Sequence, residues 1–245
     1  MIRGGFSGHT REEWKRIVDA VETSVPLYET ISERISLNLA SSLRRRAVSL
    51  LLRRRRDWVL DSGAGPGVST SLLVEYGFEK VVALDPSVKL LRFARSKLGG
   101  GFEPVVGTAE CLPFKPHSFG AVLTCFSLRD VRDLARSLQE FAQAGNPGCL
   151  LAIVDVGKPD AALARTLVGL YIRHVMPVLT RLLVRNRLVG NPFRMIVPTF
   201  DRLVTNQTLV ATVQEKFASA KLAESLLGGL ILIEGVGTAP LDSPD

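Results

Sequence analysis

Along the first fifty residues the apolar positions recur at the spacing of a helix. Trp14, Ile17, Val18 and Val21 form one set, and Ile31, Ile35, Leu39, Leu43, Val48 and Leu51 form a second. This predicts helices over residues 11–52 with one break at Pro26. The period then changes. Residues 57–61, 80–85, 120–125 and 149–155 are short and almost continuously apolar, the pattern of strands buried on both faces. Helical spacing returns between them over 68–76, 88–98 and 132–144.

Strict alternation of strand and helix implies right-handed crossovers and a doubly wound α/β fold with a mostly parallel sheet. After Asp155 the alternation stops. Residues 160–189 read as one or two apolar but basic helices interrupted by Pro177, a cap over the core. A helix at 207–217 and a strand pair at 221–226 and 230–234 complete the sheet. The expected organisation is therefore an N-terminal helical segment (1–56), a ligand-binding core (57–156), a helical cap (157–205), a completing unit (206–235) and a disordered tail (236–245). The most apolar stretch, 166–172, is bounded by Arg165 and Arg173. A spanning helix needs roughly 20 apolar residues, so no segment is expected to cross a bilayer. The start has no apolar stretch behind its early charge and does not read as a secretory signal.

Candidate chemistry begins where the first strand runs into Asp61-Ser-Gly-Ala-Gly-Pro-Gly67. Gly63, Gly65 and Gly67 permit a tight turn and a close backbone approach to a ligand at the carboxyl edge of the sheet. A pyrophosphate-binding turn has two residues between its second and third glycines. Here the glycines alternate strictly, and the acid ending the strand would repel a pyrophosphate but suit an ammonium group. Asp85 ends the second strand 24 residues later and can accept both hydroxyls of a ribose. An amino group with a ribose suggests S-adenosylmethionine.

Two stretches, Val59-Leu-Asp-Ser-Gly-Ala-Gly-Pro-Gly67 and Gly107-Thr-Ala-Glu-Cys-Leu-Pro-Phe114, resemble the first motif and the adenine loop of the class I S-adenosylmethionine-dependent methyltransferases. Further matches are specific to the C-methyltransferases of ubiquinone and menaquinone biosynthesis. They are Tyr28 with Ser36-Leu37 and Arg44-Arg-Arg-Ala-Val48, then Phe126-Ser-Leu-Arg-Asp-Val131, then Asp155-Val-Gly-Lys-Pro159 with Tyr171 and Val175-Met-Pro177. The resemblance runs from about Tyr28 to Gly235. It implies cofactor contacts at Tyr28, Asp61, Gly63, Gly65, Gly67, Asp85, Pro86, Thr108, Ala109, Glu110 and Cys125, catalytic roles for Arg129 and Asp130, acceptor contacts at Asp155, Tyr171, His174 and Arg194, and no metal. Thr108 stands where the family usually has Asp or Asn, and Asp130 where it has Asn. Glu29 and Ser32 replace an Asp–Asn pairing, and Phe193-Arg-Met-Ile196 replaces a tyrosine-rich stretch.

Family chemistry implies methylation of a reduced quinone ring whose hydroxyl gives up its proton. Arg129 would then stabilise the oxygen's charge and Asp130 would accept the proton. The structural alternative is that Arg129 and Asp130 merely pair and cap the helix beginning near Arg132. Other functional readings are N- or O-methylation of a phospholipid or similar lipid-like molecule, nucleic-acid methylation, and cofactor binding without catalysis.

Composition narrows these. At 46% apolar and 22% charged the chain lies far from the signature of disorder. Cysteines at 111, 125 and 149, odd in number and without a CxxC pair, exclude a disulfide framework and suit a reducing cytoplasmic compartment. The net charge of +7 is mostly arginine, at 44–46, 53–56 and through 158–202. Such runs are either solvated faces or sites for anionic phosphates. No RNA-binding module accompanies them, so no specific nucleic acid is expected. The expected partners are a lipophilic small-molecule acceptor and a peripheral membrane surface, with a homodimer packed through the cap as the other use of that face.

Overall fold

The computed structural model describes residues 10–238 except 11, 14, 17, 18, 20, 21, 23–30, 37 and 185–195. The expected break at Pro26, the site candidates Tyr28 and Arg194, the departures at Glu29 and Phe193, and the 239–245 part of the tail lie outside the described residues.

Seven strands form one sheet in the order β3-β2-β1-β4-β5-β7-β6. They are β1 (Trp58–Ser62), β2 (Lys80–Asp85), β3 (Glu103–Val106), β4 (Phe119–Cys125), β5 (Gly145–Val156), β6 (Ser219–Ser225) and β7 (Leu230–Val236). β1 to β5 are mutually parallel and β7 runs antiparallel to both β5 and β6. β3 has no counterpart in the apolar pattern. It is a four-residue edge strand, contains Pro104, and has three of its four residues exposed, so no hydrophobic run marks it.

Alternation within the central strands explains why they read as continuously apolar. Val59, Ala121 and Ala152 face one layer, built from α1 (Leu39–Leu50), α2 (Val68–Glu75) and α3 (Val88–Leu98). Leu60, Val122 and Ile153 face the other, built from α4 (Leu134–Ala144) and α8 (Asn206–Gln214). Both faces of each strand are dry, so the period-2 signal vanishes. Between α4 and α8 the chain forms α5 (Ala162–Leu170), α6 (Met176–Val184) and α7 (Ile196–Arg202).

Two expectations at the helices are corrected. The set from Ile31 to Leu51 is not one helix: residues 31–35 are helical, Asn38 turns left-handed at φ +62°, and α1 follows. The reason is that Ile31 and Ile35 pack under the cap with Val168, Ile172, Met176 and Phe200, whereas Leu43, Ala47, Val48 and Leu51 join the sheet core. One straight helix could not serve both, and asparagine tolerates the turn. Pro177 does not interrupt the cap. A π-turn at Tyr171–Val175 joins α5 to α6 directly, and its wider bonding makes room for a proline that lacks an N–H. The continuous rod Ala162–Leu182, of 21 residues and mean hydropathy 1.2, is long and apolar enough to cross a membrane by length and composition, where the sequence predicted no such segment.

Candidate active site

Ligand sites in open α/β sheets lie beyond the carboxyl ends of the strands where the order reverses, here between β1 and β4. Two cavities meet there. The first, of about 140 Å³, is lined by the turn after β1, the end of β2, residues 107–110 and the segment after β4. The second, of about 330 Å³, lies between residues 32–40, the cap rod and the β6–β7 turn. Phe126 lines both.

The turn after β1 is held by its neighbours. The N–H groups of Gly63 and Ala64 donate to the Leu84 carbonyl at 2.8 and 3.0 Å, and a Cβ on Gly63 would fall 2.3 Å from the Ser127 side chain. Gly67, at φ +83°, precedes α2; a Cβ there would meet Ala94 of α3 at 2.8 Å. Gly67 thus serves helix packing and is not part of the cavity wall. Gly65, at φ +53°, lines the first cavity, and a Cβ there would meet nothing.

Asp85 accepts the Gly65 N–H on one oxygen and the Ser87 N–H on the other, both at 2.8 Å. Lone pairs remain on each oxygen for hydroxyl donors. Burial pushes its carboxyl up to about 6 against those two hydrogen bonds. Pro86, Thr108, Ala109, Glu110 and Cys125 line the same cavity. One Glu110 oxygen already accepts the Arg132 N–H at 2.6 Å, which ties the segment after β3 to the segment after β4. Burial pushes the Cys125 thiol up to about 12, so it is packing and not a nucleophile.

Asp61 lies buried beneath the turn. Its Oδ2 accepts the Thr70 hydroxyl at 2.7 Å, while Oδ1 has no partner among the described residues. Burial raises its carboxyl to about 7. Arg44, on α1, lines the cavity, pairs with Glu33 at 3.1 Å and lies 4.6 Å over the Phe126 ring, yet its buried Nε also has no partner among the described residues. A buried donor in the wall and a buried acceptor behind it are what a zwitterionic amino-acid head would satisfy. The residues present are of a kind that would fit S-adenosylmethionine: in the cavity wall, Arg44 would meet its carboxylate, Gly65 would allow its close approach and Asp85 would meet its ribose, while Asp61, behind the wall and outside the lining, would face its ammonium.

Arg44 was not foreseen as a site residue, because it reads as the first of three arginines. A signal was there: Ala40, Leu43, Ala47 and Val48 share its helical face and are buried, while Arg45 and Arg46 are exposed. Glu22 was missed as well. It accepts the Ser87 hydroxyl at 2.5 Å beside Asp85 and pairs with Lys89 at 2.9 Å.

Arg129 and Asp130 occupy a single turn of 3-10 helix, Leu128–Asp130, after β4. Arg129 donates from Nη1 to Asp155 at 2.8 Å and from its backbone N–H to the same carboxylate at 3.0 Å, with Asp130 3.5 Å from its Nε. Arg129 lines the second cavity and Asp130 the first. Burial raises the Asp130 carboxyl to about 6 against the pull of Arg129. The helix cap is Asp133, which accepts the Arg136 N–H at 2.9 Å, so the alternative role of Asp130 as a cap is not what the structure has.

The remaining acceptor candidates divide. Tyr171 lines the second cavity and anchors it by donating to the Ile35 carbonyl at 2.6 Å. Asp155 is buried behind Arg129 and orients it without lining either of the two large cavities. His174 is exposed and outside the lining, because the rod turns Ile172 and Met176 inward instead.

A family model described as a methyltransferase domain matches residues 60–153. A demethylmenaquinone methyltransferase of Renibacterium salmoninarum is 29% identical over 68% of this chain and 68% of its own. A ubiquinone/menaquinone biosynthesis C-methyltransferase of Syntrophotalea carbinolica is 30% identical over 62% of this chain and 66% of its own, and one from a Marinomonas species is 24% identical over 91% of each. Among solved structures, an S-adenosylmethionine-dependent methyltransferase of Thermotoga maritima, described as a possible histamine N-methyltransferase, superposes with a TM-score of 0.60 at 18% identity, covering 90% of this chain and 99% of that one. Such a likeness carries the fold.

Proposed function

This chain belongs to the class I S-adenosylmethionine-dependent methyltransferases, and we propose that within them it methylates a ring carbon of a prenylated quinone precursor in its reduced form. The observation that carries the reading is Arg129, a guanidinium in the wall of an otherwise largely apolar cavity that adjoins the cofactor cavity at Phe126. The names of the relatives point to the same acceptor class.

S-adenosylmethionine supplies an electrophilic methyl group on a sulfonium. The chain aligns the acceptor with it and excludes water. Apolar side chains of the second cavity, among them Ile35, Val168, Ile172 and Met176, enclose the ring. Arg129, held by Asp155, presents a fixed positive charge to the ring oxygen as its proton leaves. Asp130, with its carboxyl near 6, is ionised at neutral pH and positioned beside Arg129 to accept that proton. The cavity, at about 330 Å³, sits at the lower end of the roughly 300–1,000 Å³ of drug-sized sites, so a long prenyl tail leaves it between Leu167, Leu226 and Leu227.

The test is transfer of labelled methyl to a reduced demethylated quinone, with the product identified by mass. Arg129→Ala should lower the rate by about 100-fold or more and leave cofactor affinity near the parent value. Arg129→Lys should restore only part of it, because it lacks the planar fork. Removing Arg129 also strips a buried carboxylate of its partner, so Arg129→Ala/Asp155→Asn is made alongside and its melting temperature confirms the fold. Full activity in Arg129→Ala, or label appearing on a phospholipid amine instead, overturns the reading.

A further inference from the structure

The outer face of the cap rod carries Leu163, Leu167, Leu170, Val175, Val178 and Leu182, all exposed. In an uninterrupted α-helix this set would not share one face. Leu163, Leu167 and Leu170 follow the i, i+4, i+7 rule, and Val175, Val178 and Leu182 follow i, i+3, i+7, but the step from Leu170 to Val175 is five positions. Those five are the π-turn Tyr171–Val175. Its i→i+5 bonding takes up the extra residue in about one turn, and the two half-stripes fall into line. The inner face stays in phase as well: Val168, Ile172, Met176 and Thr180 are buried.

Leu226 and Leu227, both exposed at the β6–β7 turn, line the acceptor cavity together with Leu167. Eight of the twelve exposed large apolar residues among those described thus lie on the rod and this turn, three of them in the lining of the cavity. Both leucines of the turn have left-handed backbones, at φ +50° and +57°, a conformation such side chains rarely adopt. The charge on the rod has one sign. From 162 to 184 it holds Arg165, Arg173 and Arg181 and no acidic residue, and Arg173 and Arg181 are exposed. Arg173 has an acidic neighbour, Asp201 of α7, with which it pairs.

We propose that this face docks the protein on an anionic lipid bilayer, with the rod lying in the interface and the cavity mouth opening toward the acyl chains. An exposed apolar stripe with arginines and no carboxylates fits a surface that is apolar within and negative at its head groups. The inner face is committed to the protein, and three arginines are spaced along the rod, so it lies along the bilayer and does not span it. Docking of the protein does not depend on which lipid-like molecule is methylated; delivery of the acceptor through the mouth rests on the reading above.

Flotation of the full chain with phosphatidylcholine vesicles, with and without phosphatidylglycerol, tests this. The expected result is binding to the vesicles that contain phosphatidylglycerol, weakened by high salt. Leu163→Gln, Val178→Gln and Leu182→Gln, none of which lines the cavity, should together weaken binding by about tenfold or more with cofactor affinity unchanged. Arg181→Gln should reduce the salt dependence. Absence of vesicle binding, equal binding by the triple variant, or light scattering that shows a dimer which the triple variant splits while vesicles bind neither form, overturns the proposal. Because no turnover is measured, failure here leaves the acceptor chemistry untouched, and failure of that chemistry leaves this result standing.

Discussion

Arg44 Nε and Asp61 Oδ1 are buried polar atoms with no partner among the described residues, one a donor in the wall of the first cavity and the other an acceptor behind the turn that lines it. Leaving such atoms unsatisfied is costly, and a ligand that completes both regains that cost on binding. If Arg44 meets the cofactor's carboxylate, Arg44→Met should remove a charge-assisted hydrogen bond of roughly 1.5–3 kcal/mol, about ten- to 150-fold in affinity. Methylthioadenosine, which lacks the amino-acid head, is the control and should bind both proteins alike. Calorimetry with the two ligands measures the difference; a parallel loss on both would mean that Arg44 only supports the Phe126 wall. The places of Asp85 and Gly65 in the cavity wall were legible in the sequence because each follows from the end of a single strand, β2 or β1. Arg44 was not assigned, because its role depends on α1 lying against β4 and β5, a packing that no local motif encodes.

At the scale of elements the three glycines of one motif separate into different jobs. Gly67→Ala would place a methyl 2.8 Å from Ala94 at a left-handed backbone, so it should lower stability by about 1–3 kcal/mol by pushing α2 from α3. Gly65→Ala meets no protein atom and its methyl enters the cofactor space, so cofactor affinity should fall by more than stability does. Denaturant titration and calorimetry on both variants would show the two effects crossing; equal losses in the two would remove the distinction. Strands buried on both faces and α3, whose bounds match the apolar pattern, were readable because burial there follows a fixed period. The edge strand β3 was not, since it buries little. Nor was the continuous cap rod: Pro177 reads as a break, and only the π-turn before it accommodates that residue. That turn also aligns the apolar stripe, which spacing alone would have scattered.

Across the whole molecule, three carboxyls raised by burial lie in or behind the wall of one cavity: Asp61 at about 7, Asp85 at about 6 and Asp130 at about 6. An unfolded aspartate titrates near 3.9, about two to three units lower. Between those limits the folded protein without cofactor binds more protons than the unfolded chain, so its stability must fall as pH rises from about 5 to about 7. Carboxyls lowered by partners, Glu13 to about 2 and Glu22 in the same direction, act at lower pH and leave this window clear. An ammonium placed against Asp61 favours its ionised form, so cofactor binding should release protons and strengthen as pH rises toward 7. At a hundredfold excess over Kd the cofactor should add about 2.7 kcal/mol, or about 5–11 °C in Tm for a chain of this size. Thermal melts with and without cofactor should therefore diverge with pH, the free protein losing Tm while the bound form holds level. Asp61→Asn should flatten the free curve and reduce the divergence, since an amide carries no charge to bury or to pair. A Tm for the free protein that climbs from about pH 5 to about 7, or a cofactor shift of one size throughout, would show that Asp61 does not face the ligand's ammonium and that its open oxygen has another role.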